Sequence, residues 1–451
     1  MAGQTGVRVP TARILAWSGP CLPIAALGLP LVVYLPPHYS GTLGLSIGTV
    51  GFLFALVRLI DIPLDPMLGS LMDQTRTRFG QFRLWLAAGA IVLAGGIWLL
   101  FMAKPGVTAA QTLGYLLTLS LGLSMAGLAQ TSWGARLSAD YAERARIFGF
   151  WTAMNVAGTL LVLIVPPLVF RLGGGDSTAG VQAMGLFVLA LLAPTALLTI
   201  TRVPEGEALA ERAAFSLAAA GRVLADRRML LLLGIDLLAA LVPAITGALF
   251  IFFFTQVKGY SQGETSILLL FYFTAGLVAA PLWVRLATRI GKHRAVGIAI
   301  GWKGLVQALI FLLPENNIPV AGLGMAVAGI PFAAPVFLLR AMLADLLDAQ
   351  ALDRREADEA ARDTTALAYA FVNATAKLGY ALPVGLLYPL LGLFGFDPAP
   401  DAVNEGRAIS GLLLLFIVPP LLAGVTGAVL AWRWPITAAA HARIRARLEA
   451  S

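Results

Sequence analysis

Apolar residues dominate the chain in long runs that short polar segments interrupt. Twelve of these runs hold about 20 residues or more, the length that an α-helix needs to cross a bilayer. They fall at residues 13–35, 43–72, 82–103, 108–135, 147–170, 181–201, 229–256, 263–286, 294–313, 318–346, 364–396 and 408–432. The pattern predicts an all-α polytopic membrane protein with twelve transmembrane helices, arranged as six plus six.

One polar segment, residues 202–228, separates the sixth run from the seventh. Its apolar residues recur at helical spacing, which favours a short amphipathic helix on the membrane surface. We therefore divide the chain into an N-terminal six-helix bundle at 1–201, a connecting loop at 202–228, and a C-terminal six-helix bundle with a tail at 229–451.

The loops after the second and eighth helices resemble each other. They read DQTRTRFGQFR (73–83) and RLATRIGKHR (285–294), and both place an arginine two residues before a glycine. A repeat six helices apart is typical of transporters built from two pseudo-symmetric halves, with a binding site between the halves near the membrane midplane. The repeat therefore favours a pseudo-twofold transporter built from two six-helix bundles.

The charges support this topology. Hydrophobic residues make up 59% of the chain and charged residues only 12%, whereas soluble domains carry about 25% charged residues. Of the 32 lysines and arginines, 24 lie in the termini or in the loops after the even-numbered helices through the tenth. Because basic residues concentrate in cytoplasmic loops, both termini are predicted to be cytoplasmic, and the net charge of +8 needs no nucleic-acid partner.

Residues suited to metal or covalent chemistry are scarce. The chain has one cysteine, Cys21, and three widely separated histidines, His38, His293 and His441. No disulfide framework, histidine metal site or serine–histidine pair at membrane depth follows from them. We therefore expect no enzyme activity and no cofactor.

Three charged residues stand at the end of the second apolar run. Asp61 and Asp65 are four residues apart, which places them on one helix face with β-carbons about 5–6 Å apart, and Arg58 shares that face. Two ionised carboxylates this close repel each other in a low dielectric, so one takes up a proton or both bind a cation. The alternative is a structural Arg–Asp pair with a nearby carboxylate. A second carboxylate exceeds what one arginine needs, which favours a site for a sodium ion or a proton.

The stretch that carries these residues, RLIDIPLDPMLGSLMDQTRTRFGQFR (58–83), resembles the glycoside–pentoside–hexuronide:cation symporters, the melibiose permease group of the major facilitator superfamily. Further similar stretches are WGARLSADYAERAR (133–146), PLWVRLATRIGKHR (281–294), MLADLLDAQ (342–350) and KLGYALPVGLLYPLLGLFGF (377–396). The resemblance spans both halves. It implies a monomeric carrier in the bacterial inner membrane that couples a sugar or glycoside to Na⁺ or H⁺ by alternating access.

The resemblance also implies roles for individual residues. Cation binding falls to Asp61, Asp65 and Ser124. Substrate binding falls to Lys377 and to Asn373, one turn earlier. A gating network of charges falls to Asp73, Arg76, Arg78, Arg144 and Arg146.

Four more residues are candidate substrate contacts. Arg58 offsets the charge of the two aspartates. Asp236 contacts the substrate or pairs with Lys377, Arg340 or Lys303 across helices. Trp133 and Trp151 line the cavity or pack in the interior.

The chain also departs from the sugar-binding members of the group. They carry acidic residues where this chain has Ala25, Gly127 and Arg136, and an arginine where it has Trp151 or Thr152. The departures leave two alternatives open beside sugar symport. One is a cation-coupled carrier of lysolipid-like or other amphipathic anions, and the other is a membrane assembly or sensor protein that no longer transports.

Overall fold

A computed structural model describes residues 8–75, 77–138, 141–173, 177–205, 221, 223–356, 365–400 and 402–450. Within this part of the chain, twelve helices are long and apolar enough to cross a membrane. They are α1 (Thr11–Thr42), α2 (Ile47–Gln74), α3 (Phe82–Phe101), α4 (Ala109–Arg136), α5 (Tyr141–Gly173), α6 (Ser177–Arg202), α7 (Arg227–Val257), α8 (Gln262–Ile290), α9 (Lys292–Leu312), α10 (Ile318–Arg355), α11 (Thr365–Leu393) and α12 (Arg407–Trp432), followed by a tail helix, α13 (Ala438–Ala450). The predicted twelve membrane helices are confirmed. The amphipathic helix expected at 202–228 lies mostly outside the described residues.

The helices group into two compact units. The first contains α1–α6, the first residues of α8 up to Ile267, and the end of α11 from Val384. The second contains α7, α9, α10, α12, α13 and the remainder of α8 and α11. The boundaries at residues 201 and 229 stay a prediction.

The core of the first unit forms around large aromatic side chains. Trp17, Phe82 and Trp133 are fully buried together with aliphatic residues of α2, α4, α5 and α6. The Trp17 indole N–H donates to the Gln130 carbonyl at 2.9 Å, and the Gln130 amide returns a hydrogen bond to the Trp17 carbonyl at 3.1 Å. This exchange satisfies the polar groups that burial would otherwise leave without partners.

Glycines allow α3 and α4 to approach closely. A β-carbon added at Gly96 would lie 2.5 Å from the Leu119 α-carbon, and one added at Gly89 would lie 2.7 Å from the Ala126 nitrogen. Small residues permit this backbone approach, and close packing is what holds membrane helices together where water cannot drive association. The contact fixes α4, which carries two serines of the site described below.

The second unit has a core of its own. Buried aliphatic residues of α7, α9 and α10 form it with Trp283 and Trp434. In α9 and α12 two glycines face each other, since a β-carbon added at Gly304 would lie 2.7 Å from the Gly424 α-carbon. Both units therefore use the small-residue packing common among membrane helices.

Candidate functional site

Two aspartates of α2 each meet a serine of α4. The Ser120 hydroxyl donates to Asp61 Oδ1, and the Ser124 hydroxyl donates to Asp65 Oδ1 at 2.6 Å. Both aspartates and both serines are four residues apart, so one turn of α2 faces one turn of α4 and the two helices run in the same direction. The structure thus brings together the three predicted cation-binding residues, Asp61, Asp65 and Ser124. Their role as a cation site stays a prediction.

Asp61 is more deeply buried than Asp65. Asp61 is 4% exposed, and its Oδ2 lies 3.5 Å from Arg58 Nη1 on the same helix. Asp65, one turn later, is half-buried. Together these three side chains bring two carboxylates and one guanidinium to one face of α2. Two carboxylates this close favour the binding of a proton or another cation between them.

Two prolines interrupt the backbone hydrogen bonds of α2 near these aspartates. Pro63 and Pro66 lie inside the helix on either side of Asp65. A proline has no N–H, so each removes the hydrogen bond that would reach the carbonyl four residues earlier, at Leu59 and Ile62. Such carbonyls are tolerated in a membrane where they line a polar cavity.

A small cavity of about 20 Å³ lies between α1, α2 and α4 near this site. Its polar lining comes from Arg58 and Ser120, the two residues that contact Asp61. Its apolar lining comes from Leu31, Phe54, Val57, Leu116, Leu119 and Leu123. A volume of this size holds about one water molecule or small cation. The cavity therefore has room for about one water molecule beside the two residues that contact Asp61.

Ser120 is the residue of this site that the sequence reasoning missed. A serine in an apolar helix commonly bonds to its own backbone, so its presence alone carries little information. The available signal was spacing, because Ser120 and Ser124 repeat the four-residue interval of Asp61 and Asp65.

The second unit holds three candidate substrate residues, Asn373, Lys377 and Asp236. It also holds Arg340, which contacts one of them. On α10, Arg340 Nη2 donates to the Asn373 Oδ1 of α11 at 3.1 Å, and its Nη1 donates to the Val336 carbonyl at 3.3 Å. On α7, the buried Oδ2 of Asp236 has no hydrogen-bond partner among the described residues. Arg340 acts on Asp236 electrostatically but forms no ion pair with it within the described chain. Lys377 is half-buried one turn after Asn373.

Lys303 of α9 does not reach Asp236. Its side chain is buried, and the ammonium lies 3.3 Å from the Phe332 carbonyl and 5.6 Å from the Phe332 ring centre. A carbonyl and an aromatic face both stabilise a cation. The pairing of Asp236 with Lys303 that the sequence left open is therefore not formed.

The two tryptophan candidates have different outcomes. Trp133 is fully buried, stacks on Phe82 and donates its indole N–H to the Pro204 carbonyl at 3.0 Å. This core position contradicts the expected substrate contact, because a solute cannot reach a side chain with no exposed surface. Trp151 is half-buried and packs edge-on against Phe148. It stays a prediction.

The gating arginines that the structure describes contact nearby residues of the first unit. Arg146 Nη1 pairs with Glu143 at 2.6 Å, and its Nη2 donates to Thr11 of α1 at 2.7 Å. Arg144 Nε donates to the Ser138 carbonyl at 2.7 Å. Arg78 lies 4.9 Å from the centre of the Phe79 ring. Arg76 and the Asp73 side chain are outside the described part of the chain, so a latch through them stays a prediction.

A carboxylate that the sequence did not single out holds the start of α3. Glu205, just after α6, accepts the backbone N–H groups of Gln81 and Arg83, both at 2.7 Å. Gly80 precedes them with φ +101°, and a side chain there would collide with the Glu205 carboxylate. A negative charge at a helix N-terminus is stabilised by the free N–H groups and the helix dipole. Glu205 therefore ties the loop after α2 to the end of α6.

The segment MLADLLDAQ (342–350) connects α10 to three neighbouring elements. Asp345 binds Lys292 of α9 at 2.7 Å, Asp348 contacts His441 of α13 at 3.0 Å, and Gln350 donates to Asp226, just before α7, at 2.8 Å. The segment that carries part of the family resemblance is thus a structural junction at the end of α10.

Comparison with known proteins identifies related chains. Residues 18–438 match the model of the family described as MFS/sugar transport protein. A putative glycoside/cation symporter, YagG, from Escherichia coli K12 is 24% identical over 85% of this chain and 83% of its own length. A glucuronide carrier protein homolog from the same organism is 24% identical over 90% of this chain and 88% of its own.

A solved structure shares the fold. The nucleoside transporter NupG superposes with a TM-score of 0.66 at 16% identity, over 94% of this chain and 98% of that one. At this identity the likeness concerns the fold alone. It agrees with the twelve helices predicted from the apolar runs and with the major facilitator fold that the family resemblance implies.

Proposed function

Because the chain belongs to the MFS/sugar transport protein family, we propose that it is a secondary active transporter that carries a sugar or glycoside together with Na⁺ or H⁺. The observation that carries this proposal is the Asp61 and Asp65 pair of α2, with a serine hydroxyl on each carboxylate. The names of the relatives, a glycoside/cation symporter and a glucuronide carrier homolog, support a sugar rather than a lysolipid-like solute.

The chemistry of coupling follows from charge. Asp61 and Asp65 place two carboxylates on one face of a membrane helix, and Arg58 lies 3.5 Å from Asp61. At an effective dielectric near 20, a unit charge about 4 Å away contributes about 4 kcal/mol. Binding one cation therefore offsets repulsion between the two carboxylates. Coupling follows if the carrier changes conformation only with both the cation and the solute bound, which links cation entry to substrate entry.

The oxygen atoms of the site suit either cation. Two carboxylates and two serine hydroxyls supply the ligands that hard cations take, and the same carboxylates accept a proton. We place the protein in the inner membrane with both termini cytoplasmic, because its basic residues lie in those loops. The partners are the solute, the coupling cation and the bilayer. The carrier acts as a monomer without a bound cofactor.

Uptake into proteoliposomes tests this proposal. Purified protein is reconstituted, and accumulation of a panel of radiolabelled sugars and glycosides is measured under an imposed Na⁺ gradient, an imposed proton gradient, or neither. The proposal predicts accumulation of at least one sugar above its external concentration with one of the two gradients. Equal uptake in all three conditions, or uptake of none of the sugars, contradicts it.

A further inference from the structure

In the second unit, α9 and α12 pack closely along small residues. A side chain at Gly297 of α9 would collide with the indole of Trp432 of α12. About two turns further along α9, Gly304 faces Gly424, which lies about two turns before Trp432 on α12. Residue numbers therefore rise on one helix as they fall on the other, so the helices are antiparallel. The start of α9 lies beside the end of α12.

Two arginines lie at this shared end. Arg294 is one turn before Gly297 on α9, and Arg433 directly follows Trp432 on α12. Because Gly297 lies opposite Trp432, the two arginines are within about one turn of each other along the helix axes. Both are exposed, and neither forms an ion pair with a carboxylate among the residues that the structure describes.

The two arginines also face the same side of the helix pair. Ile298 and Arg433 each come one residue after the contact between Gly297 and Trp432. In two antiparallel helices, the same rotation away from the contact leads to the same side of the pair. Arg294 shares this face, since it is one turn from Ile298. The exposed residues on this side are Arg294, Ile298 and Leu305 of α9 and Val425, Val429 and Arg433 of α12.

This surface is a groove with a basic end and apolar walls, and it lies where a lipid meets the protein. The α9 span begins at Lys292 and the α12 span ends at Trp432, so both arginines lie at the level of lipid headgroups. Trp432 is 65% exposed at that level, the depth at which tryptophans anchor membrane proteins. An arginine fork matches the geometry of a phosphate, and basic pockets between membrane helices bind anionic headgroups.

We propose that the groove between α9 and α12 binds one anionic phospholipid, whose headgroup phosphate contacts Arg294 and Arg433 together. Its acyl chain lies along Ile298 and Val429. A single arginine at a membrane surface attracts anionic lipids without holding one molecule, whereas two arginines that converge on one groove hold a single headgroup. The lipid thereby links α9 to α12 at their shared end. This site is independent of the transported solute and of the coupling cation.

Two lipids that differ in headgroup charge test the site. Full-length protein in detergent is titrated with phosphatidylglycerol, which is anionic, or with phosphatidylethanolamine of identical acyl chains, which has no net charge. Bound lipids are counted by native mass spectrometry. One phosphatidylglycerol is expected to bind wild type about 25-fold more tightly than phosphatidylethanolamine, because each arginine near an anionic headgroup contributes about fivefold.

Substitutions assign the lipid to the two arginines. Arg294→Gln and Arg433→Gln should each weaken phosphatidylglycerol binding about fivefold, and the double variant should bind both lipids equally. Arg202→Gln is the matched control, since it removes an exposed arginine from the end of α6 in the first unit. It should keep the wild-type affinity. Unfolding midpoints measured without added lipid check that every variant is folded.

Three results would overturn the inference. The first is equal affinity of wild type for the two lipids. The second is a loss in Arg202→Gln as large as that in Arg433→Gln, which indicates attraction to surface charge in general. The third is two tightly bound phosphatidylglycerol molecules on wild type, each lost with one arginine, which excludes a shared headgroup. None of these results alters the outcome of the uptake experiment, so the lipid site and the proposed transport fail independently.

Discussion

At the level of single residues, the two carboxylates of α2 each have a serine partner but differ in exposure. Asp61 is enclosed by Arg58 and Ser120, whereas Asp65 is half-buried with Ser124. Each hydroxyl offers its carboxylate a hydrogen bond at membrane depth, where water is scarce. Removing a hydroxyl from such a pair costs more than the same change at a surface, because a buried charge loses a donor.

Ser124→Ala should weaken Na⁺ coupling, because it removes a hydroxyl oxygen that can serve as a ligand for a hard cation. The Na⁺ concentration for half-maximal uptake should rise about tenfold, the equivalent of about 1.4 kcal/mol. Ser120→Ala should also raise it, through Asp61. Thr118→Val is the matched control on α4, since the Thr118 hydroxyl bonds to the Gly114 carbonyl of its own helix at 2.8 Å. Unchanged cation dependence in both serine variants would show that the hydroxyls take no part in the site.

At the level of helices, α3 and α4 are held together through glycines whose neighbours leave no room for a methyl group. A β-carbon at Gly96 would lie 2.5 Å from the Leu119 α-carbon, while one at the adjacent Gly95 would have no atom within 4 Å of it outside its own helix backbone and chain neighbours. The two glycines therefore differ only in what surrounds them.

Gly96→Ala should destabilise the protein, and Gly95→Ala should leave it unchanged or slightly more stable. Overpacking costs about 1–3 kcal/mol where backbone cannot move aside, whereas alanine in an open helical position gains up to about 1 kcal/mol in helix propensity. The thermal unfolding midpoints of both variants in the same detergent check this. Equal midpoints would mean that α3 and α4 are not packed as described.

The N-terminus of α7 depends on Asp226. Its carboxylate accepts the Arg228 N–H at 2.8 Å and side-chain hydrogen bonds from Arg228 and Gln350. Partial burial favours the neutral form, but these bonds outweigh it and hold the pKa of Asp226 below its usual value. A carboxyl whose pKa is lower in the folded state stabilises the fold above its unfolded pKa of about 3.9, and this stability is lost as pH falls through the folded value.

Asp226→Ala should consequently lower the unfolding midpoint at pH 7, by the equivalent of about 1 kcal/mol for a lost helix cap. The difference from wild type should shrink only as the pH falls below about 4, through the lowered pKa of Asp226. Asp353→Ala serves as a comparison, because Asp353 contacts Arg228 from a more exposed position. A difference that is constant with pH would show that the charge of Asp226 does not stabilise α7.

Sequence patterns predicted the helices and the α2 carboxylates because both depend on local spacing. Twelve apolar runs gave the membrane spans, and the four-residue interval placed Asp61 and Asp65 on one face. The partners of these residues depend on how helices pack against each other, which local spacing does not contain. Ser120 was therefore missed.

Trp133 shows the same limit of local sequence patterns. Here the sequence predicted a substrate contact, and the packing of the helices places the residue in the core. A tryptophan in a membrane helix lines a cavity or fills a core, and only the packing of Phe82 and Pro204 around Trp133 decides between them. The Glu205 contact with the start of α3 joins residues more than a hundred positions apart. No periodicity in the sequence indicates such a pairing.

At the level of the whole molecule, the predicted cation and substrate residues fall in different units. Asp61 and Asp65 lie in the first, and Asn373 and Lys377 lie in the second. We propose that the cation binds in the first unit and that the solute contacts the second. Energy from the cation gradient then reaches the solute only if both sites are filled in the same transport cycle.

The most direct test is the behaviour of Asp65→Asn in proteoliposomes. The change removes one charge from the cation site while keeping the shape of the side chain. A cation moving down 100 mV supplies about 2.3 kcal/mol, enough for roughly fifty-fold accumulation. The variant should therefore lose gradient-driven accumulation while retaining substrate binding and equilibrium exchange. Lys377→Ala should weaken binding of an anionic solute and leave cation binding intact.

Glu405→Gln removes an exposed carboxylate from the loop before α12 and should accumulate solute as wild type does. Accumulation and exchange are measured on the same liposome preparations, so that a poorly folded variant is recognised by the loss of both. Loss of accumulation with preserved exchange in Asp65→Asn is the result that the account predicts. Accumulation by Asp65→Asn equal to that of wild type would show that the carboxylates of α2 are structural, and it would contradict the coupling site.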